Sequence, residues 1–245
     1  MQRPDDWIIP DWPVPARVKS LITSRNGGSS RGPYASMNLG QRVNDDPEAV
    51  AANRRLLRQF LPAEPKWLDQ VHGSTVVRAE AVLAPVPADA SLATSPGCVS
   101  VITIADCLPV LFAERSGACV AAAHAGWRGL AAGVLENTVR ALGAPPRDLL
   151  AYLGPAIGPA AFEVGDEVRA AFVAVDPAAA LAFAPHQPGK WLADLFLLAR
   201  QRLAAVGVTD VFGGGQCTYS DPKRFFSHRR DKVSGRMAAL VWLQD

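Results

Sequence analysis

The stretch CVSVITIADCLPVLFAERSGACVAAAHAGWRG, residues 98–129, decides the fold. It holds three apolar runs of strand length, CVSVITIA (98–105), LPVLFAE (108–114) and ACVAAAHA (118–125), parted only by short polar or glycine-bearing links. β-Branched and small apolar residues favour strands, and links this short leave no room for a helical crossover, so the reading predicts antiparallel neighbours. Outward from this centre, RVKSLITSR (17–25), STVVRAEAVL (74–83) and VTDVFGG (208–214) read as further strands bounded by turn residues. Interleaved with them are helical patterns. DDPEAVAANRRLLRQFL places Asp46 as an N-cap and Pro47 at the first helical position, predicting a helix over 47–61. DLFLLARQRLAAVG predicts another from Asp194 to a terminating Gly207, GLAAGVLENTVRAL one over 129–142, and DEVRAAFVAV a shorter one. The expected fold is therefore α/β: a layered sandwich of mixed β-sheet with flanking helices, forming a single domain over residues 1–245.

Composition narrows the function classes. The 245 residues are 49% hydrophobic and 20% charged with a formal charge of +2, which is ordinary globular composition and offers no basic surplus for nucleic acid. No apolar run reaches the roughly 20 residues of a membrane span, because Asp106 and His124 interrupt the two best candidates. The start, MQRPDDWIIPDWPVP, lacks the basic-then-apolar layout of a signal peptide, so the expectation is a cytoplasmic protein beginning at Met1, without nucleic-acid or membrane partners. The four cysteines, Cys98, Cys107, Cys119 and Cys217, are too sparse for a disulfide framework. Cys98 and Cys119, in apolar surroundings, read as small buried hydrophobes.

The chemistry-bearing residues gather at strand ends. His124 follows a strand-like run and precedes a helix, a position where α/β proteins place functional groups. Cys107 ends another run before Pro109. An imidazole and a thiolate suit zinc, which needs at least three protein ligands at a catalytic site. For the third, His72, His228, Cys217 and Asp106 all stand in plausible places, and spacing alone does not choose among them. A Cys–His nucleophilic pair is the competing reading. His186, in the loop APHQPGK, reads as merely solvated.

Six runs then carry a resemblance: TSRNGGSSRGPYASMNLG (23–40), LDQVHGSTVV (68–77), TIADCLPVLF (103–112), AAAHAGWRGLAAGV (121–134), LGPAIGPAAFEVG (153–165) and SHRRDKVSGRMAALVWL (227–243). In this order they resemble the bacterial YfiH family, called by its older name the laccase-domain or multicopper polyphenol oxidase family. The resemblance implies zinc ligation by His72, Cys107 and His124, and a fold similar to the CNF-toxin catalytic fold. It further implies purine nucleoside phosphorolysis of adenosine, inosine, guanosine and methylthioadenosine, together with adenosine deamination. Relatives have also been assigned a cytoplasmic editing role on peptidoglycan precursors. Where relatives often show Cys-Cys-Tyr, this chain has Ala160, Ala161 and Phe162, so that loop offers no metal ligand; Ser227 replaces the usual threonine and keeps the hydroxyl.

Chemistry assigns further expected roles. Asp106 could orient a water or shuttle a proton, or could cap a turn. A bound cation lowers the pKa of water from nearly 16 to about 7, which suits attack on an electron-poor purine carbon. Phosphorolysis needs a phosphate held by guanidinium groups, and Arg25, Arg128, Arg229 and Arg230 lie in the matching runs; Arg25, Asn38, Arg128 and Arg229 are the expected substrate contacts. Four histidines without a His-X-His pair cannot build the centres of a multicopper oxidase, so copper is expected only as an in vitro occupant of the same site.

Overall fold

Why the three central runs show no polar alternation becomes plain from what covers them. A computed structural model describes residues 3–245; Met1 and Gln2, where the sequence expectation starts the chain, lie outside the described residues. Its centre is a six-stranded mixed sheet: β11 (Asp210–Gly213), β7 (Leu149–Leu153), β5 (Leu108–Glu114), β6 (Val120–Ala125), β3 (Ala90–Ala93) and β2 (Val76–Arg78), in that spatial order. The outer pairs β11–β7 and β3–β2 are parallel and the inner pairs antiparallel. A smaller antiparallel sheet, β1 (Val18–Ile22), β12 (Met237–Leu243) and β4 (Val99–Ile104), packs on one face.

Helices cover the other face. These are α2 (Trp127–Ala131), α3 (Val134–Leu142), α4 (Asp166–Val173) and α5 (Leu195–Ala205). In β5, Val110 and Phe112 point to the helices while Leu111 and Ala113 point to the small sheet, all fully buried, so both sides of the strand must be apolar. The small sheet is itself covered on its far side: Leu57 of α1 (Pro47–Arg58) joins Trp7, Met37 and Trp67 against Val101, Leu240 and Trp242. A short antiparallel sheet of β8 (Glu163–Gly165), β10 (Lys190–Ala193) and β9 (Phe183–Pro185), and the one-turn helix α6 (His228–Asp231), complete the chain.

The mixed α/β layering matches the sequence expectation, with three local corrections. The 129–142 helix is two helices, because Gly133 adopts φ +89° between them. STVVRAEAVL contributes only the three residues of β2 before a 3-10 turn at Ala79–Ala81. The links of the central runs also differ in kind: β5 and β6 form the expected antiparallel pair, whereas β4 pairs with β12 in the small sheet and β5 with β6 and β7 in the large one. Ala105–Cys107 is therefore a corner at which the chain switches sheets. Asp106 makes the corner with φ +85°, a left-handed conformation uncommon outside glycine. Pro109 does not stop the run; it sits inside β5 opposite His124, and its carbonyl accepts Gly154 N–H at 2.9 Å.

Helix ends follow the sequence closely. Asp46 caps α1 through Glu48 N–H, and Asp194 caps α5 through the N–H groups of Phe196 and Leu197. The layer arrangement predicts that Leu111→Ala, which empties space between the two sheets, lowers unfolding free energy by about 2–5 kcal/mol. Leu83→Ala, at a position 94% exposed, should change it by less than about 0.5 kcal/mol. Urea titrations of both variants check the contrast.

Candidate metal centre and its cleft

Three chain segments meet where β6 ends. His124 is the penultimate residue of β6, on its small-sheet face, only 3% exposed. Cys107 leaves the sheet-switching corner directly before β5. His72 sits in the turn before β2 with φ +60°, so both the histidine and the corner aspartate are held in a strained backbone region. The ligand atoms of His72, Cys107 and His124 all lie within 4.8 Å of one another, and could hold a metal ion. His72 Nε2 is 3.8 Å from Cys107 Sγ, and the two imidazole rings meet edge to face with centroids 4.9 Å apart. Gly126, which starts the turn into α2, makes the approach feasible. A Cβ there would lie 2.9 Å from the Cys107 sulfur and 3.1 Å from His72 Cδ2.

One buried carboxylate holds the arrangement. Asp89, fully buried, takes His124 Nδ1 at 2.8 Å, which leaves Nε2 as the ligand atom. The same carboxylate accepts the backbone N–H groups of Val71 (3.2 Å), His72 (2.9 Å) and Gly73 (2.7 Å). Its carbonyl accepts His124 N–H at 2.7 Å. Burial opposes ionisation of Asp89, but the bonds from His124 and Gly73 outweigh it and hold the carboxyl below its ordinary range. Burial likewise opposes a Cys107 thiolate, yet the neighbouring His124 and His72 bring the thiol down to about 6, the direction a metal-binding sulfur requires. His124, disfavoured as a cation by burial, is pushed up to about 9 by Cys107 and Asp89. One thiolate-forming sulfur and two imidazoles, one of them backed by a carboxylate, is a donor set that fits a borderline divalent metal.

The cluster opens on a cleft of about 510 Å³. Gln70 and Thr103 form part of its wall, the Gln70 amide bonding both backbone groups of Thr103 at 2.7 and 2.8 Å as a further strand would. Among the described residues, three arginines reach the cleft, Arg42, Arg54 and Arg236, against one carboxylate, Asp69.

The other expected residues lie elsewhere. Asp106 is 8% exposed, and its two carboxylate oxygens accept Thr218 Oγ1 and Arg229 N–H, each at 2.6 Å; the geometry gives it the task of tying the corner to the C-terminal segment. Arg25 donates to the carbonyls of Ala35 (3.0 Å) and Pro222 (2.9 Å), Arg229 to that of Glu163 (2.8 Å), and Arg128 lies over the Trp127 ring. Asn38 is fully buried, its amide bonding Asp45, Gly40 and Arg236 N–H. The cleft lining includes none of these four. Of the alternative ligands, His228 lines the cleft outside the three-residue cluster, and Cys217 accepts Gly158 N–H at 3.1 Å. Arg230 caps carbonyls of Thr218, Tyr219 and Phe225. His186 stands 3.4 Å from Glu163 on the surface. Cys98 and Cys119 are free thiols, both raised by burial, Cys119 to about 11.

Asp89 and the cleft arginines escaped the sequence reading. An aspartate in PADA looks like any turn aspartate, and Arg54 and Arg236 stand in helix and strand-edge contexts where a solvated arginine is ordinary.

Comparison with known proteins agrees with this architecture. The family described as multi-copper polyphenol oxidoreductase laccase matches residues 19–244. A purine nucleoside phosphorylase of Pseudomonas aeruginosa is 59% identical, covering 98% of this chain and 99% of that protein. The purine nucleoside phosphorylase YfiH of Escherichia coli is 54% identical, covering 96% and 98%. Among solved structures, a DUF152 protein of Neisseria meningitidis superposes with a TM-score of 0.96 at 50% identity, covering 98% of this chain and all of that one. YlmD of Geobacillus stearothermophilus gives 0.91 at 32%, covering 100% and 98%. The chain belongs to the YfiH family, described also as the multi-copper polyphenol oxidoreductase laccase family.

Proposed function

We propose that this chain is a zinc-dependent purine nucleoside phosphorylase of the cytoplasm, acting on adenosine, inosine, guanosine and methylthioadenosine, with adenosine deamination as a second activity, and that residues 1–245 form one catalytic domain. The observation that carries the reading is the His72–Cys107–His124 cluster at the wall of a cleft rich in arginine. Relatives matched over nearly their whole length bear the name purine nucleoside phosphorylase, which supports it.

In phosphorolysis a phosphate oxygen bonds to the ribose anomeric carbon while the bond from that carbon to the purine nitrogen breaks. The electron pair stays on the base, which takes up a proton, and the products are free purine and ribose 1-phosphate. His72, Cys107 and His124 would hold zinc, which when bound supplies Lewis acidity to the cleft. Asp89 fixes the His124 tautomer and clamps the His72 turn, so two ligands keep their orientation through one carboxylate. Guanidinium groups in the cleft hold the anionic co-substrate.

A second reading has its own observation: Cys107, His124 and Asp89 stand in the order of a cysteine-hydrolase triad, thiol lowered, imidazole raised and carboxylate behind it. Metal content separates the two, because a thiolate engaged by metal is not a free nucleophile.

Protein purified without chelator is expected to contain about one zinc per chain. Cys107→Ser should lose most of the metal and the activity, while Cys98→Ser and Cys119→Ser keep both; full zinc in Cys107→Ser would contradict the ligand assignment. Asp89→Asn, which disturbs the carboxylate–histidine contact, is expected to weaken zinc affinity about 10- to 100-fold in chelator competition. Adenosine with inorganic phosphate should yield adenine and ribose 1-phosphate, and adenosine alone some inosine. Absence of base release from every purine nucleoside, with turnover of UDP-linked muramyl substrates instead, would replace this reading by precursor editing.

A further inference from the structure

The arginines that reach the cleft are not equivalent. Arg42 is largely exposed and pairs with Asp69. Arg54 and Arg236 are partly buried, and among the described residues neither has a carboxylate within ion-pair distance. Glu64, whose charge acts on Arg54, accepts the Trp67 indole N–H at 3.1 Å instead. Partly withdrawing a cation from water without an ion-pair partner is costly, so two such groups in one cleft are expected where a ligand brings the opposite charge.

Both side chains are also fixed in place. Arg54 donates Nε and Nη2 to the Leu39 carbonyl at 3.1 and 2.8 Å, and its guanidinium lies 3.8 Å over the Trp67 ring. Arg236 donates Nη1 to the carbonyls of Ser234 (2.8 Å) and Gly235 (3.0 Å), and to Ser234 Oγ at 3.3 Å. Its own carbonyl accepts Leu39 N–H at 2.9 Å. A Cβ on Gly40 would come within 2.7 Å of Arg236 Cγ, so glycine at this position makes room for the arginine. The Arg54 guanidinium and the Arg236 backbone and Cγ thus both abut one link, Leu39–Gly40, and both side chains line the same cleft. Among the described residues, Arg54 Nη1 and Arg236 Nε and Nη2 meet no acceptor.

Arg25, Arg128 and Arg229 are placed differently. Arg25 and Arg229 also donate to backbone carbonyls and Arg128 also stacks on a tryptophan, Trp127, but none of the three lines the cleft.

We propose that Arg54 and Arg236 form an anion subsite beside the His72–Cys107–His124 cluster, and that its ligand is a phosphate dianion. The inference rests on the phosphorylase reading in assigning that phosphate as the co-substrate. The pair supplies fixed, forked donors matched to phosphate oxygens, without the cost of ordering flexible side chains on binding.

The test uses the zinc-loaded protein and inorganic phosphate as probe, with binding followed by calorimetry and the KM values of phosphate and adenosine measured separately. Arg236→Gln is expected to weaken phosphate binding and raise its KM by about 10- to 100-fold, while the adenosine KM moves less than about threefold. Gly40→Ala retains every charge but crowds Arg236, and should shift phosphate in the same direction. Should Arg236→Gln lose its zinc or its cooperative thermal transition, Arg54→Lys and Arg236→Lys take its place, with a smaller loss confined to phosphate expected. Phosphorolysis with unchanged phosphate KM in folded Arg54 and Arg236 variants would overturn the subsite and leave the phosphorylase reading standing. Phosphate bound by the parent protein and lost in the variants, with no nucleoside cleaved by either, would uphold the subsite and remove the phosphorylase reading.

Discussion

The Asp89 carboxylate is the contact on which the rest of the site depends. It is fully buried, and such a charge is tolerable only when hydrogen bonds replace its lost water. Here they come from two places at once: the His124 imidazole at the end of β6 and three successive backbone N–H groups of the turn carrying His72. The turn cannot move away without stranding the carboxylate, and His124 cannot rotate without losing its Nδ1 partner. Two ligands that lie 52 positions apart in sequence are thereby held by a residue that is itself no ligand. The φ of +60° at His72 follows from the same constraint, since presenting three N–H groups to one acceptor requires the chain to curl.

Cys107 is placed by a different device. The chain leaves the small sheet at Ile104 and enters the large one at Leu108, and it can do so within three residues only because Asp106 accepts a left-handed backbone. The Asp106 carboxylate secures that corner to Thr218 and to the Arg229 N–H, and its carbonyl takes Ile157 N–H at 2.9 Å. The C-terminal third of the chain therefore supports a sulfur carried by the middle third. The SHRRD run then gains a structural meaning besides any chemical one: Ser227 caps α6 through Arg230 N–H, and α6 presents the Arg229 N–H to Asp106.

How far the sequence could be read follows from these devices. Layer type, the β5–β6 pair and the capped helices α1 and α5 were legible because period, caps and short links are local signals. The geometry of His72, Cys107 and His124 agrees with the set that family resemblance picked out, whereas spacing alone left His228, Cys217 and Asp106 open. What escaped was non-local. β12, the central strand of the small sheet, stands in the run MAALVWL, and its place between β1 and β4 depends on partners more than a hundred residues away. Arg25 shares a motif with the site yet lies outside the cleft lining, while Arg54, on a helix that reads as a surface element, reaches it. Which arginine faces the cleft is decided by the packing of α1 on the small sheet, and no residue-level signal carries it.

The family's oxidase name and the ligand chemistry of this chain point in different directions, and the side chains decide between them. Multicopper oxidation needs a mononuclear centre and a trinuclear cluster joined by paired histidines, and this chain has four histidines in all. Two of them stand in the cluster with Cys107; His186 is at the surface beside Glu163, and His228 opens α6 on the cleft wall. No redistribution of these four supplies ligands for four metal ions. A single thiol–imidazole cluster sharing its cleft with fixed guanidinium groups is suited instead to a polar, anion-dependent reaction, in which charge is held in place and electrons move only in pairs. The fixed positions of Arg54 and Arg236 reinforce this, because two partly buried cations without an ion-paired carboxylate favour an anionic ligand.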